Sequence, residues 1–171
     1  WPVLSGAEGL RDAVEALCQR AEEAVDEGAE TLILTDRAIN HERVGIPSLM
    51  AVGAVHAHLN HVRKRMKTSI VIDTAEARDT HHMACLIGFG ATAVCPWLSH
   101  ETIHELVEKN PKNKFDGVKV EKALRNYHKS LEKGVLKIMS KMGISVLNSY
   151  QGAQIFEAVG IAETVIDQCF P

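Results

Sequence analysis

The chain has 171 residues, of which 46% are hydrophobic and 24% charged, and its formal net charge is −3. This length predicts a single domain, residues 1–171, and the composition excludes a disordered tail, a collagen-like repeat and a small disulfide-framework protein. The small net charge gives no general attraction to nucleic acid or to an anionic membrane, and no apolar run reaches the roughly 18 residues of a membrane-spanning helix.

The chain begins at Trp1, without a methionine and without a signal peptide, so we expect a piece of a longer protein. Its four cysteines are too far apart in the sequence for CxxC pairs and lie mostly in apolar stretches. We therefore expect buried free thiols, a reducing compartment and a soluble, intracellular chain.

The first half of the chain predicts helix, strand and helix in that order. A capping box at Ser5 to Glu8 starts a helix that ends near Gly28, and a short apolar run at 31–35 predicts a buried strand. Pro47 opens a second helix, whose apolar stripe continues to Met66 at spacings of three and four.

The strand-and-helix pattern then recurs. Apolar runs predict strands at 69–72, 91–94 and 144–147, and helices are predicted at about 80–89, 100–109, 118–142 and 152–159. Alternating units of this kind imply a parallel sheet with right-handed crossovers. The predicted fold class is therefore α/β, with four βα units forming a partial, half TIM-barrel-like architecture or a small open sheet.

Parallel strands bring their carboxyl ends to one edge of the sheet, where α/β folds hold their sites. Polar side chains follow three of the predicted strands, and the candidates for a shared face are Asp36, Arg37, Asp73, Glu76, Arg78, Tyr150, Gln151 and Gln154. Two interpretations stay open. These residues form a contact with a neighbouring domain, or they cap loops and helices and pair with one another while Tyr150 packs inward.

The residues alone predict no catalytic or metal site. His58 and His61 form an HxxH pair without a third ligand, and HExxH, P-loop and GxSxG motifs are missing. His81 and Cys85 are one helical turn apart, but the apolar surroundings favour a buried thiol over a nucleophile. The segment 110–141 has nine basic residues against three acidic ones, which indicates a solvated helix face or, as an alternative, a surface for an acidic partner.

Several segments resemble the large subunit of glutamate synthase, in the order of that family and over essentially the whole chain. The segments are Leu32 to Arg37, Ile46 to His56, Asp73 to Arg78 with His81 and His82, Gly88 to Ala91, Lys133 to Ser145 and Ser149 to Ala158. The resemblance implies the C-terminal portion of the family's central domain. In this family the central domain connects an N-terminal glutamine amidotransferase domain to an FMN-binding synthase barrel.

The resemblance further implies a parent enzyme that converts glutamine and 2-oxoglutarate into two glutamate by flavin-dependent reductive amination, with ammonia passing through an internal tunnel. The chain itself is then an interdomain, tunnel-supporting domain without catalytic, cofactor-binding or metal-binding residues. FMN and a 3Fe–4S cluster are expected elsewhere in the parent enzyme. The expected partners are its amidotransferase and synthase domains, and the isolated fragment is expected to self-associate. The expected location is the cytoplasm, or a plastid in a photosynthetic eukaryote. The alternative is a free-standing flavin- or phosphate-binding half-barrel enzyme.

Overall fold

A computed structural model describes residues 1–170 of the chain. One parallel sheet has the strand order β1 (Thr31–Thr35), β2 (Ser69–Asp73) and β3 (Ala93–Cys95). The helices of this part are α1 (Gly6–Asp26), α2 (Ser48–His61), α3 (Thr80–Gly88), α4 (Trp97–Lys109), α5 (Val120–Lys141), α6 (Leu147–Tyr150) and α7 (Glu163–Cys169). The predicted α/β class with a parallel sheet is confirmed.

The prediction of a fourth strand at 144–147 is wrong. Ile144 closes the end of α5 by donating its backbone N–H to the carbonyl of Met139, and Leu147 already begins α6. Ile144 packs against the buried pair Met139 and Tyr150, so its apolar side chain is partly buried without strand pairing. Val146 and Leu147 of the same run are 54% and 39% exposed, so the run contributes one partly buried side chain and no strand.

The prediction of a helix at 152–159 is also wrong. Gly152, Gln154 and Gly160 have φ angles of 72°, 52° and 75°, which an α-helix does not accommodate. The chain becomes helical again only in α7, whose seven residues are too few to give a clear helical period in the sequence.

Helices cover one face of the sheet. In β1, Leu32 and Leu34 are each 8% exposed, while Ile33 between them is 66% exposed. Ile70 and Ile72 of β2 lie on the buried face, in one apolar cluster with side chains of α1, α2 and α3. Since right-handed crossovers place the helices between sequential parallel strands on the same side, the opposite face of the sheet receives none of them.

The long helix α5 packs against α3 and α4 through an apolar stripe that includes Leu131 and Met139. Its basic residues lie on the opposite, exposed face, as the predicted solvated face requires. The four cysteines are free thiols, of which Cys18 and Cys169 are buried. None of the helices between residues 1 and 170 has the length and apolar character needed to cross a membrane.

A first prediction concerns Gly90, which links α3 to β3. Its φ is 113°, and a Cβ added there would overlap the His56 ring. We expect Gly90→Ala to lower the free energy of unfolding by roughly 2–5 kcal/mol, the sum of backbone strain and overpacking. The measurement is urea unfolding of the chain.

Gly28→Ala is the matched control, because Gly28 also has a positive φ, 95°, but faces open space. We expect it to cost about 1–2 kcal/mol, the backbone contribution alone. Equal losses for the two variants would contradict the predicted overlap with His56.

Candidate functional site

Asp36 follows β1 and joins the ends of all three strands at the carboxyl edge of the sheet. Its Oδ2 atom accepts hydrogen bonds from the Thr74 hydroxyl at 2.7 Å and from the Ala75 backbone N–H at 2.8 Å. Its Oδ1 atom accepts one from the indole Nε1 of Trp97 at 2.7 Å. Because Thr74 follows β2 and Trp97 begins α4 just after β3, one carboxylate fixes the three loops that leave this edge.

Arg37 and Asp73 form an ion pair beside Asp36. The Arg37 Nε atom lies 2.7 Å from Asp73 Oδ2 and its Nη2 atom lies 3.2 Å from Oδ1, so the pair is bidentate. The Thr35 hydroxyl donates to the same Oδ2 at 2.9 Å, and the guanidinium carbon lies 4.8 Å from the centre of the Trp97 ring. These hydrogen bonds, that of Arg37 first, lower the pKa of Asp73, which is therefore ionised and compensated.

Glu76 and Arg78 lie in the loop between β2 and α3. Glu76 Oε2 accepts a hydrogen bond from the Ser48 backbone N–H at 2.6 Å, at the positive N-terminus of α2. Arg78 contributes its backbone carbonyl, which accepts from the Tyr127 hydroxyl at 2.9 Å and connects this loop to α5. Both residues line an open groove of about 680 Å³. The structure thus brings together five of the eight candidates.

Tyr150, Gln151 and Gln154 lie at the opposite, amino edge of the sheet, so the prediction that all eight share one face is wrong. Tyr150 is fully buried, and its hydroxyl donates to the Ala84 carbonyl of α3 at 3.2 Å. Gln151 Nε2 donates to the carbonyl of Ala91, just before β3, at 2.8 Å. The physical reason is that no strand precedes these residues, so nothing carries them to the carboxyl edge.

Gln154 lines a cavity of about 730 Å³ between α2, α7 and the segment 152–159. The Gly152 backbone N–H donates to the carbonyl of Gly88 at 2.8 Å, which holds the start of this segment against the end of α3. Tyr150 packs inward, as in the second of the two interpretations that the sequence left open. Neither Gln151 nor Gln154 caps a following helix, since α7 begins only at Glu163.

Arg65 organises the amino edge, and the sequence reasoning missed it. Its Nη1 atom donates to the Thr68 carbonyl at 2.6 Å and its Nη2 atom to the Gly90 carbonyl at 2.8 Å. Its Nε atom donates to His56 Nδ1 at 3.0 Å, which requires that nitrogen to be unprotonated. Burial, and secondarily the Arg65 charge, lower the pKa of His56 to about 4. No local motif marks this arrangement, because its members come from three separate segments: α2, the turn of Arg65 and Thr68, and the loop at Gly90.

Among residues 1–170, the contacts of histidine and cysteine side chains do not form an activated centre. His81 Nε2 lies 3.6 Å from Cys85 Sγ, but burial raises the pKa of the Cys85 thiol, which disfavours the thiolate that a nucleophile needs. His58 Nε2 contacts Glu22 Oε2 at 2.7 Å across α1 and α2. Between residues 1 and 170, no group of three or more His, Cys, Asp or Glu side chains is arranged to hold a metal ion.

The family model of the glutamate synthase central domain matches residues 2–162. The chain belongs to this family. It is 45% identical over 165 residues to a glutamate synthase [NADH] of Schizosaccharomyces pombe, a match that covers 96% of this chain and 8% of that protein. It is 45% identical over 171 residues to the glutamate synthase [NADPH] large chain of Azospirillum brasilense, covering 100% of this chain and 11% of that one.

A ferredoxin-dependent glutamate synthase of Arabidopsis thaliana is 46% identical over 179 residues, covering 99% of this chain and 11% of the relative. The chain thus spans about a tenth of the length of these relatives. Among solved structures, a mutant flavocytochrome b2 with benzoylformate is similar in fold, with a TM-score of 0.53 and 13% identity over 90% of this chain and 38% of that one. This second likeness concerns the TIM-barrel-like fold alone.

A second prediction tests the role of Asp36 in this glutamate synthase central domain. Asp36→Ala leaves the Trp97 indole, the Thr74 hydroxyl and the Ala75 N–H without their acceptor, so we expect a loss of roughly 2–4 kcal/mol in the free energy of unfolding. Arg37→Ala removes an ion pair in which Arg37 is half-exposed but Asp73 is 14% exposed, and Asp73 keeps the hydrogen bond from the Thr35 hydroxyl, so the expected cost is smaller, about 1–2 kcal/mol. Urea unfolding of both variants gives the comparison, and similar losses would be inconsistent with Asp36 as the junction.

A third prediction follows from His56, whose pKa is lowered to about 4 in the folded chain. Between pH 6.5 and about 4 the unfolded chain binds a proton on this residue that the folded chain does not, so stability should fall as the pH falls. His56→Gln keeps an acceptor for Arg65 without a titratable group. The pKa of His100 is also lowered, but equally in both proteins, so the difference between their unfolding curves against pH isolates His56. Parallel curves would contradict the assignment.

Proposed function

We propose that the chain is an internal, non-catalytic domain of a glutamate synthase, which supports the passage of ammonia between a glutamine amidotransferase domain and an FMN-binding synthase barrel. The parent reaction combines glutamine and 2-oxoglutarate into two glutamate by flavin-dependent reductive amination. The match of nearly the whole chain to about a tenth of several glutamate synthases supports its being one domain of a larger protein.

The observation that carries the structural role is the engagement of the carboxyl-edge carboxylates. Asp36 accepts three internal hydrogen bonds, Asp73 is held by Arg37, and Glu76 accepts from the N-terminus of α2. A general base or a metal ligand must be available to substrate, proton or ion. These groups instead hold loops in place, which supports a domain that fixes geometry for its neighbours.

The described residues do not fit the two groups that the family implies. A 3Fe–4S cluster needs several cysteine ligands close together, and no such group of ligands occurs in residues 1–170. FMN presents a phosphate dianion, whereas the carboxyl edge has three carboxylates, Asp36, Asp73 and Glu76, and one of its two arginines, Arg37, is already paired with Asp73. We propose that other domains of the parent enzyme bind both groups.

The carboxyl edge is the proposed contact with a neighbouring domain. Arg37 is half-exposed at this edge, and Glu76 and Arg78 line the open groove. At the other edge, Gln154 is exposed and stays a candidate for a second contact, whereas Tyr150 is too buried to make one.

A half-barrel stays a proposal, supported by three βα units in sequential order. The location in the cytoplasm or a plastid stays a prediction.

A fourth prediction uses the full-length glutamate synthase that contains this chain. Arg37→Ala removes an exposed charge from the proposed contact and leaves Asp73 unpaired, so we expect glutamine-dependent activity to fall several-fold more than ammonia-dependent activity. Flavin content should be unchanged. Arg125→Ala is the matched control, because Arg125 is an exposed arginine on α5 that does not line the open groove.

The measurement is the ratio of glutamine-dependent to ammonia-dependent glutamate formation at saturating substrates. An unchanged ratio in the Arg125→Ala enzyme, with a reduced ratio in the Arg37→Ala enzyme, is the expected result. If both activities of the Arg37→Ala enzyme fall together, or if Arg125→Ala changes the ratio equally, the carboxyl edge is not a coupling contact.

A further inference from the structure

One face of the sheet is open. Its central row is apolar and pairs Ile33 with Val71 and Val71 with Ala93 across the three strands. Next to this row, towards the carboxyl edge, Thr35, Asp73 and Cys95 are aligned in the same way. Ile33 is 66% exposed, although its neighbours Leu32 and Leu34 are each 8% exposed. We call these six residues the open face.

Parallel sheets are almost always covered on both faces, because their crossovers and neighbouring layers bury them. Here the helices cover only the face of Ile70 and Ile72. Within the described residues, the outer edges of β1 and β3 are also unpaired, since the strand order is β1-β2-β3. An apolar face flanked by two unpaired parallel edges is therefore suited to receiving further strands and the side chains of a facing layer.

The size of the open face decides between two occupants. Three strands of at most five residues give a surface of about 14 by 17 Å, on the order of 240 Å². A stable association between separate molecules buries about 800 Å² on each partner. The open face is too small to hold a second copy by itself. A segment linked covalently to the domain needs much less area, because the linkage supplies a high effective concentration.

The relatives provide such segments, since this chain spans only 8–11% of their length. We infer that, in the parent enzyme, the open face is covered by another part of the same polypeptide, which packs aliphatic side chains onto Ile33, Val71 and Ala93. This inference rests on the proposed position of the chain inside a glutamate synthase. It adds a second contact surface, which is apolar, to the polar contact at the carboxyl edge.

The experiment is thiol labelling of the full-length enzyme. Ile33→Cys puts a small, strand-compatible thiol in the centre of the open face, and Met66→Cys is the control, because Met66 is 97% exposed in the turn before β2. Both enzymes are treated with a maleimide under native conditions, and labelling of the introduced cysteine is followed by peptide mass spectrometry. Labelling after unfolding in urea gives the fully accessible rate for each thiol.

We expect the thiol at position 33 to label at least about 100-fold more slowly than the thiol at position 66, at every protein concentration. Labelling within about threefold of the control overturns the inference, since the face is then open in the enzyme. Slow labelling that disappears on dilution also overturns it, because the occupant is then a second copy. Both outcomes are independent of the activity ratio that tests the proposed function, so the two proposals fail separately.

Discussion

Burial of one face of a three-stranded parallel sheet is the constraint on which the rest of the structure depends. Leu32, Leu34, Ile70 and Ile72 form the strand side of the main apolar cluster, and α1, α2 and α3 form the other side. Since the strands are parallel and sequential, every chain segment that leaves a strand does so at the carboxyl edge, and every segment that enters one does so at the amino edge. The two polar clusters and the open face all follow from this arrangement.

The two edges are closed by different chemistry. At the carboxyl edge the Asp36 carboxylate accepts hydrogen bonds from the loops after β2 and β3. At the amino edge the Arg65 guanidinium donates hydrogen bonds to the carbonyls of Thr68 and Gly90 and to the unprotonated Nδ1 of His56. In both cases one multidentate group replaces several separate loop contacts.

Internal hydrogen bonding at both edges suits a domain that serves a larger enzyme through its shape. At the carboxyl edge Asp73 is paired with Arg37 and Asp36 accepts internal hydrogen bonds, so the proposed contact would present a half-exposed arginine over Trp97. The segment after α5 returns to the end of α3 through Tyr150, Gln151 and Gly152. It thereby joins the last helices to the amino edge, and the chain is fixed at both ends of its sheet.

The amino-acid sequence by itself determined the parts that depend on local spacing. The stripes of α1, α2 and α5 and the apolar runs of β1 and β2 are periodic enough to identify each element, and the position of Asp36, Arg37 and Asp73 after buried strands was enough to bring them to one edge. The segments shared with glutamate synthase were sufficient to indicate the family.

Tertiary structure decided where apolar runs without a clear period were buried. The run at 144–147 has the composition of a strand, but a strand also needs a partner edge, and Ile144 instead packs onto Met139 and Tyr150. That single difference moves Tyr150, Gln151 and Gln154 from one edge of the sheet to the other. The Arg65 cluster was equally inaccessible to sequence reasoning, because its hydrogen bonds join residues up to 25 positions apart and leave no local spacing. Apolar composition marks a segment that is suited to burial, whereas the available partner determines which of its side chains are buried, its structure and its place.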